Sequence, residues 1–270
     1  MIKKTIKALI IILVLAFIYA PILILAVYSF TNATQIGAIR SFSFHNYVTL
    51  FTTEDLIHMI LGTIFLALGS ALISTLLGTM GAIGSFYSGK KTSAFIRTTN
   101  QIPVVNADVV TGFSICILLV IVLGVSKETY IPLVIGHVTL CAPFVYLSVM
   151  PKLLQLDPSI YEAALDLGAT PLTALFRIVI PQISSGIISG FALAITLSLD
   201  DYFIATYTKP ATFDTISTYV VNATKGAQTK IKTALWALST VIFVLVVLFV
   251  LISNFRAIKK DAEERKGGQI

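Results

Sequence analysis

Six stretches of this chain carry no Asp, Glu, Lys or Arg and run for 18 residues or more: Ala8–Phe30, Met59–Gly89, Val109–Ser126, Thr129–Pro151, Gln182–Leu199 and Thr233–Asn254. About 20 residues of helix cross a hydrocarbon core of roughly 30 Å, so each run is long enough to span a bilayer. A transmembrane barrel would instead show segments of about ten residues alternating apolar and polar. These runs do not alternate. Composition excludes the remaining escape, a soluble protein with a large core. Only 12% of the 270 residues are charged, where a soluble surface brings the figure to about 25%. The expectation is an all-α membrane protein, a single transmembrane domain over 1–270. Its six transmembrane helices are expected at about 8–30, 59–87, 102–126, 129–151, 182–203 and 233–255.

The first run follows Lys3, Lys4 and Lys7, as a signal peptide would. It is 23 residues long, beyond the usual 7–15 of a signal core, and no small-x-small cleavage pattern follows it. It reads as a retained first span. Cys116 and Cys141 both lie inside apolar runs and read as packing thiols rather than a disulfide or metal pair.

The net charge of +6 is an orientation signal. With six spans and a cytoplasmic N-terminus, both termini are cytoplasmic. The inner segments then hold Lys3, Lys4, Lys7, Lys90, Lys91, Arg97, Lys152, Arg177, Arg256, Lys259, Lys260, Arg265 and Lys266. These are 13 of the 19 basic residues; Arg40, Lys127, Lys209, Lys225, Lys230 and Lys232 fall outside. The bias follows the positive-inside rule, with some attraction to anionic membrane lipid. Nucleic acid is not needed to explain it. In the second span Ser70, Ser74 and Gly78 repeat every four residues, a spacing that lets helices approach closely in lipid. Packing within the chain is favoured here over a subunit interface.

The inner segment Lys152–Pro181 reads as two short helices. Asp157 can cap the first, with Pro158 at its first position; Ser159 with Glu162 offers an alternative capping box. Gly168 suits a left-handed stop. Thr170 caps a second helix that starts at Pro171, and Pro181 marks entry into the fifth span. A helix–turn–helix between two spans presents a shaped cytoplasmic surface suited to docking.

Glu162-Ala163-Ala164, three residues, Gly168, nine residues, Ile178, one residue, Ile180-Pro181 resembles the EAA loop of type I ABC importer permeases. The one departure is Ile180 for Leu. The resemblance implies the type I permease fold with cytoplasmic coupling helices, and it places Glu162, Ala163, Ala164 and Gly168 at the contact with a separate ATPase. The chain shows no ATP site of its own. Gly84 to Lys91 has the glycine and lysine spacing of a phosphate loop, but Lys91 replaces the Ser/Thr that would hold magnesium, and a membrane helix precedes it in place of a strand. ATP and magnesium would be bound by the partner ATPase, with no cofactor, catalytic residue or metal site in this chain.

Over nearly its whole length the chain also resembles the spermidine/putrescine importer permeases, the second of their two membrane subunits. The carrying stretches are Tyr28-Ser29-Phe30-Thr31-Asn32, Asp108-Val109-Val110, Pro143-Phe144-Val145 and Ser198-Leu199-Asp200-Asp201. This resemblance implies a polyamine permease in the bacterial cytoplasmic membrane. Its partners would be a homologous second permease, two ATPase subunits and an extracytoplasmic polyamine-binding protein.

The residues support a cationic substrate independently. Intramembrane charges are costly and default to functional roles, and those within or ending the spans are acidic: Asp108, Asp200 and Asp201. Asp108 has two readings of equal weight. In one, Asn106 caps a helix restarting inside the third span and Asp108 occupies its first turn; in the other, Asp108 lines a pathway. On the fifth helix Ser185, Ser189, Thr196 and Asp200 fall within about 60° of one another and form one polar stripe. Asp201, about 100° away, faces a neighbour or solvent. The alternative, that both aspartates simply end the helix in water, stays open. Tyr202, Phe203 and Tyr207 could meet an ammonium group, but fit an interfacial aromatic belt better. His137 reads as a hydrogen-bonded packing histidine.

Three rivals remain: the same machine for ferric iron or an aminophosphonate, an ion-coupled secondary carrier, and a membrane-embedded enzyme. Secondary carriers often show inverted repeats, and no repeat is visible. No constellation of nucleophile, base and metal ligand is visible either.

Overall fold

The computed structural model describes residues 2–33, 37, 41–225, 233–244 and 247–248. Arg40, Lys230, Lys232 and the whole stretch beyond Leu248, with its five basic residues and the end of the expected sixth span, lie outside the described residues.

The described chain is almost entirely helical. In order come α1 (Ile2–Ser29), α2 (His45–Thr52), α3 (Glu54–Tyr87), α4 (Lys90–Val105), α5 (Asp108–Cys116) with a π-turn at Ile117–Val122, α6 (Ile131–Leu154), α7 (Pro158–Asp166), α8 (Pro171–Ala174) with a π-turn at Leu175–Val179, α9 (Ile180–Asp200), α10 (Phe203–Thr208) and α11 (Ile216–Lys225). A shorter apolar helix, α12 (Thr233–Val244), begins where the sixth span is expected. Four helical stretches are long and apolar enough to cross a membrane: Leu9–Ser29, Glu54–Tyr87, Ile131–Leu154 and Pro171–Asp200. The pair Lys90–Val105 and Asp108–Val122 makes a fifth if counted as one broken span.

The third span is broken, α4 and α5 meeting at 107°, which matches the reading in which a helix restarts inside it. The fifth helix does not begin at 182; it runs unbroken from Pro171, α8 feeding directly into α9. Pro181 does not interrupt it. Proline cannot donate the i→i−4 bond and crowds the preceding turn, and the wider π-turn at Leu175–Val179 falls in that turn.

The chain forms two compact units, His58–Tyr219 and Met1–Ile57 with Val220–Ile270. In the second of these, the Tyr28–Asn32 stretch closes a small knot after α1. Asn46 is buried and its Nδ2 donates to the carbonyls of Ser29 and Thr31, each at 3.0 Å. Thr31 bridges antiparallel to Phe42, and Phe30 packs on Phe42, Phe44 and Tyr47.

The His58–Tyr219 unit is built around α6, which is buried along Leu133, His137, Leu140, Cys141, Val145, Val149 and Leu153. Helix α9 packs on it through Ile183, Gly186, Gly190, Ala194 and Ser198. A Cβ on Gly190 would lie 3.2 Å from Val145 Cα, and one on Gly186 would lie 3.0 Å from the Ser148 carbonyl. Small residues four apart thus bring two backbones together where lipid supplies no hydrophobic drive. Helix α3 approaches α6 in the same way. Ser70 and Ser74 are buried, Ser74 Oγ donates to the Val138 carbonyl at 3.4 Å, and a Cβ on Gly78 would lie 2.7 Å from the Ala142 carbonyl. The small-residue stripe of α3 is therefore internal packing, as expected.

Candidate functional site

At one end of this unit, α5, α6, α9 and α10 converge. Helix α9 ends at Asp200, and the backbone turns extended at Asp201 (φ −64°, ψ 126°) before α10 begins. Asp201 is buried, with 8% exposed. Its Oδ1 accepts from the Ile204 N–H at 3.2 Å and its Oδ2 from the Ala205 N–H at 2.7 Å. It therefore satisfies two donors at the start of α10. Of the two placements expected for it, neighbour or solvent, the structure gives the neighbour. Asp200, one residue earlier, is exposed. So are Ser185, Ser189 and Thr196, together with Gln182, on the face opposite the buried glycines. The polar stripe is real and lies open along α9.

Asp108 is the first residue of α5 and is also exposed. The expected capping by Asn106 is corrected. Asn106 closes α4, its N–H donating to the Ile102 carbonyl, and its side-chain amide donates to Thr111 Oγ1 at 3.1 Å. Ala107 holds the N-cap of α5, with no side-chain capping bond. With no side chain capping α5, the Asp108 carboxylate in its first turn is the charge that faces the helix's positive end. Asp200 adjoins Asp201 in the chain, and α5, which Asp108 opens, packs against α10 where Gly112 meets Ile204. The three aspartates singled out from sequence thus share one site, two open and one buried.

Lys209, just past the end of α10, is already paired. Lys209 Nζ lies 3.1 Å from Asp214 Oδ1 and donates to the Phe213 carbonyl at 2.9 Å. The aromatics Tyr202 and Phe203 meet edge to face at 5.2 Å, and Phe113 meets Tyr207 at 5.7 Å. His137, wholly buried, has Nδ1 2.9 Å from Ser198 Oγ, as expected of a hydrogen-bonded packing histidine. Sequence reasoning missed its approach to Asp201, Nε2 lying 3.7 Å from Oδ2. Spacing along α6 alone does not reveal a partner beyond the end of α9.

At the other end, α7 carries the Glu162–Gly168 motif. Asp157 Oδ1 accepts the Ser159 N–H at 3.0 Å, so Asp157 is the cap rather than Ser159. Hydrogen bonds from the Ser159 side chain and N–H hold the Asp157 carboxyl below its ordinary range. Gly168 has φ +85°. The Ala169 N–H donates to the Ala164 carbonyl at 3.0 Å and the Gly168 N–H to that of Leu165 at 2.9 Å, the paired bonds of a Schellman stop. Thr170 Oγ1 accepts from the Thr173 N–H. Glu162 and Ala163 are exposed while Ala164 is buried, 6% exposed. Leu167 is 90% exposed, and Leu172 and Phe176 stand out beside it. Three large apolar side chains thus face outward here, an exposure that sets this segment apart from an ordinary polar connection.

A bundle of apolar helices with a broken third span, an acidic site at one end and a stiff helix–turn–helix at the other defines a multi-pass membrane permease. Residues 74–259 match the family of binding-protein-dependent transport system inner membrane components, and the chain belongs to that family. It is 35% identical over 210 residues to the putrescine transport system permease protein PotI of Escherichia coli (strain K12), covering 74% of this chain and 73% of that protein. It is 28% identical over 241 residues to the spermidine/putrescine transport system permease protein PotC of Haemophilus influenzae, covering 89% and 92%. A chain of a bacterial ABC transporter involved in the import of the acidic polysaccharide alginate shares the fold, with a TM-score of 0.73 at 22% identity over 94% and 95%. The protein is the permease subunit of an ABC importer, a non-catalytic multi-pass component of the inner membrane that works in a complex with an ATPase and a binding protein.

Proposed function

We propose that this subunit translocates polyamines, spermidine or putrescine, with its outer carboxylates receiving the cation. The observation that carries the reading is the gathering of Asp108, Asp200 and Asp201 at one end of the bundle, two of them open, where the described lysine Lys209 is already neutralised by Asp214. The relatives named for putrescine and spermidine support the same substrate class. The exposed line Ser189, Thr196 and Asp200 offers oxygen ligands along α9, and weak ligands suit a substrate that must leave again. The alginate importer of the same fold makes the substrate a matter of the site and not of the fold.

In this proposal the subunit pairs with a homologous permease and two ATPase subunits, and an extracytoplasmic polyamine-binding protein delivers the cargo. Both termini are cytoplasmic. Glu162, Ala163, Ala164 and Gly168 form the coupling surface that follows ATPase closure. The deciding experiment is uptake of labelled spermidine and putrescine by the complete complex, with ferric iron and an aminophosphonate as competitors. Saturable polyamine uptake that neither competitor inhibits is the expected result; uptake of a competitor in its place would overturn the substrate class.

A further inference from the structure

Resting on that reading, the geometry points to His137 as a positioning residue for the outer carboxylate site: through Ser198 and Asp201 it latches α10 onto the bundle and so fixes where Asp200 stands. Helix α10 is only six residues long and cannot be stable by itself. Two devices hold it. The first is a wedge. Ile204 is wholly buried and sits in notches left by two glycines. A Cβ on Gly112 of α5 would lie 2.9 Å from Ile204 Cα, and one on Gly136 of α6 would lie 2.6 Å from Ile204 Cγ2. The second is polar. Asp201 binds the first N–H groups of α10, and its Oδ2 faces His137 Nε2 at 3.7 Å.

The imidazole is aimed by its other nitrogen. Ser198, one turn before the end of α9, is 1% exposed and its Oγ lies 2.9 Å from His137 Nδ1. With the serine hydroxyl donating to Nδ1, the imidazole proton sits on Nε2 and points at the carboxylate, the tautomer a facing anion favours. His137 Nε2 has no other partner among the described residues. At 3.7 Å the pair is a charge–dipole contact longer than a hydrogen bond, and with the Ser198 bond it ties α6 to the junction of α9 and α10. The carboxylate of Asp200, adjacent in the chain, is directed outward because that of Asp201 is held inward. His137 touches no substrate in this arrangement. It acts through Asp201.

The test uses the purified complete complex with Cys116→Ser, and a reporter thiol at Thr208→Cys. Thr208 is wholly buried and packs toward Gly136, so a hydrophilic maleimide reaches it only when α10 lifts. Labelling of that site is read by peptide mass. His137→Ala should raise the labelling rate about tenfold, the scale of losing the buried Ser198 hydrogen bond together with the contact to the Asp201 carboxylate. In the same background without the reporter thiol it should raise the apparent KM for polyamine uptake while Vmax per assembled complex holds. Ser198→Ala, which removes the hydrogen bond that aims the imidazole, should shift both readouts in the same direction.

Native labelling and native KM in assembled His137→Ala complex would overturn the latch. So would uptake that falls only in proportion to the amount of complex, the signature of a merely structural residue. Should His137→Ala fail to assemble, Ser198→Ala decides by the same two readouts, and native labelling with native KM in that variant refutes the proposal. Labelling needs no substrate. A complex that shows the latch but transports no polyamine refutes the substrate assignment and leaves the latch standing.

Discussion

At the residue scale, three side chains differ in what their loss should do. Asp200 is exposed and makes no capping bond. Asp200→Asn keeps its size and removes its charge. A charge pair at 4 Å is worth roughly 1–4 kcal/mol between bulk-water and protein-surface conditions. The variant should therefore raise the apparent KM for polyamine at least about fivefold, with complex yield and basal ATP hydrolysis unchanged. Transport kinetics and gel filtration check this together, and unchanged KM removes the cationic pathway. Asp201→Ala should instead lower the amount of folded complex, because it strips the acceptors from two buried N–H groups at about 1–3 kcal/mol. Gly168 belongs to the coupling end. Its φ of +85° costs an L-residue roughly 1–2 kcal/mol, and a Cβ there would meet nothing within 4 Å. Gly168→Val thus acts through the backbone alone. It should misdirect Thr170 and α8 and reduce ATPase stimulation while the permease still inserts; a purified complex with full stimulation would refute the coupling role.

At the element scale, the bundle depends on a few close approaches of helices, and the glycines divide accordingly. Gly78→Ala places a methyl 2.7 Å from the Ala142 carbonyl. Helix α3 must then move off α6, at a cost of about 1–3 kcal/mol. Gly84→Ala, on the same helix, meets open space and should gain about 0.5–1 kcal/mol of helix propensity. Thermal unfolding of the purified complex should show opposite shifts for the two. The contrast bears on what sequence could disclose. The Ser70–Ser74–Gly78 stripe was legible because its period is regular. The equivalent stripe on α9, Gly186, Gly190, Ala194 and Ser198, had the same four-residue period and went unread beside the polar stripe on the opposite face. The broken third span was partly legible, since Asp108 does open a new helix, but Asn106 turned its amide to Thr111 instead of capping. The phase of Asp201 was not legible. An angle of 100° per residue holds only while the helix continues, and it stops at Asp200. His137 met its partner only through that stop.

At the scale of the whole molecule, orientation in the membrane decides which end meets the cargo and which meets the ATPase. Charge is the determinant a chain carries for this. Thirteen basic residues fall on the proposed cytoplasmic side and six on the other. Of those six, Lys209 is paired with Asp214; the rule counts it all the same, because acidic residues contribute little to orientation. The α7 loop lies between Ile131–Leu154 and Pro171–Asp200, and the turn after α10 lies beyond the far end of the latter. These two points must sit on opposite faces of the bilayer if the span crosses it. Leu167 is 90% exposed and Ala211 is exposed in that turn, so each tolerates a cysteine without disturbing the core. Cys141 is buried and Cys116 is removed as Cys116→Ser. In intact cells a membrane-impermeant maleimide should label Ala211→Cys and leave Leu167→Cys untouched. After permeabilisation Leu167→Cys should label as well, and assembly with the ATPase should protect it again, because the docking surface then covers it. The reverse pattern in intact cells would invert the topology and put Asp108, Asp200 and Asp201 on the cytoplasmic face, where they could not receive a cation from a binding protein. Labelling of Leu167→Cys that the ATPase leaves unchanged would keep the orientation and move the coupling contact away from α7.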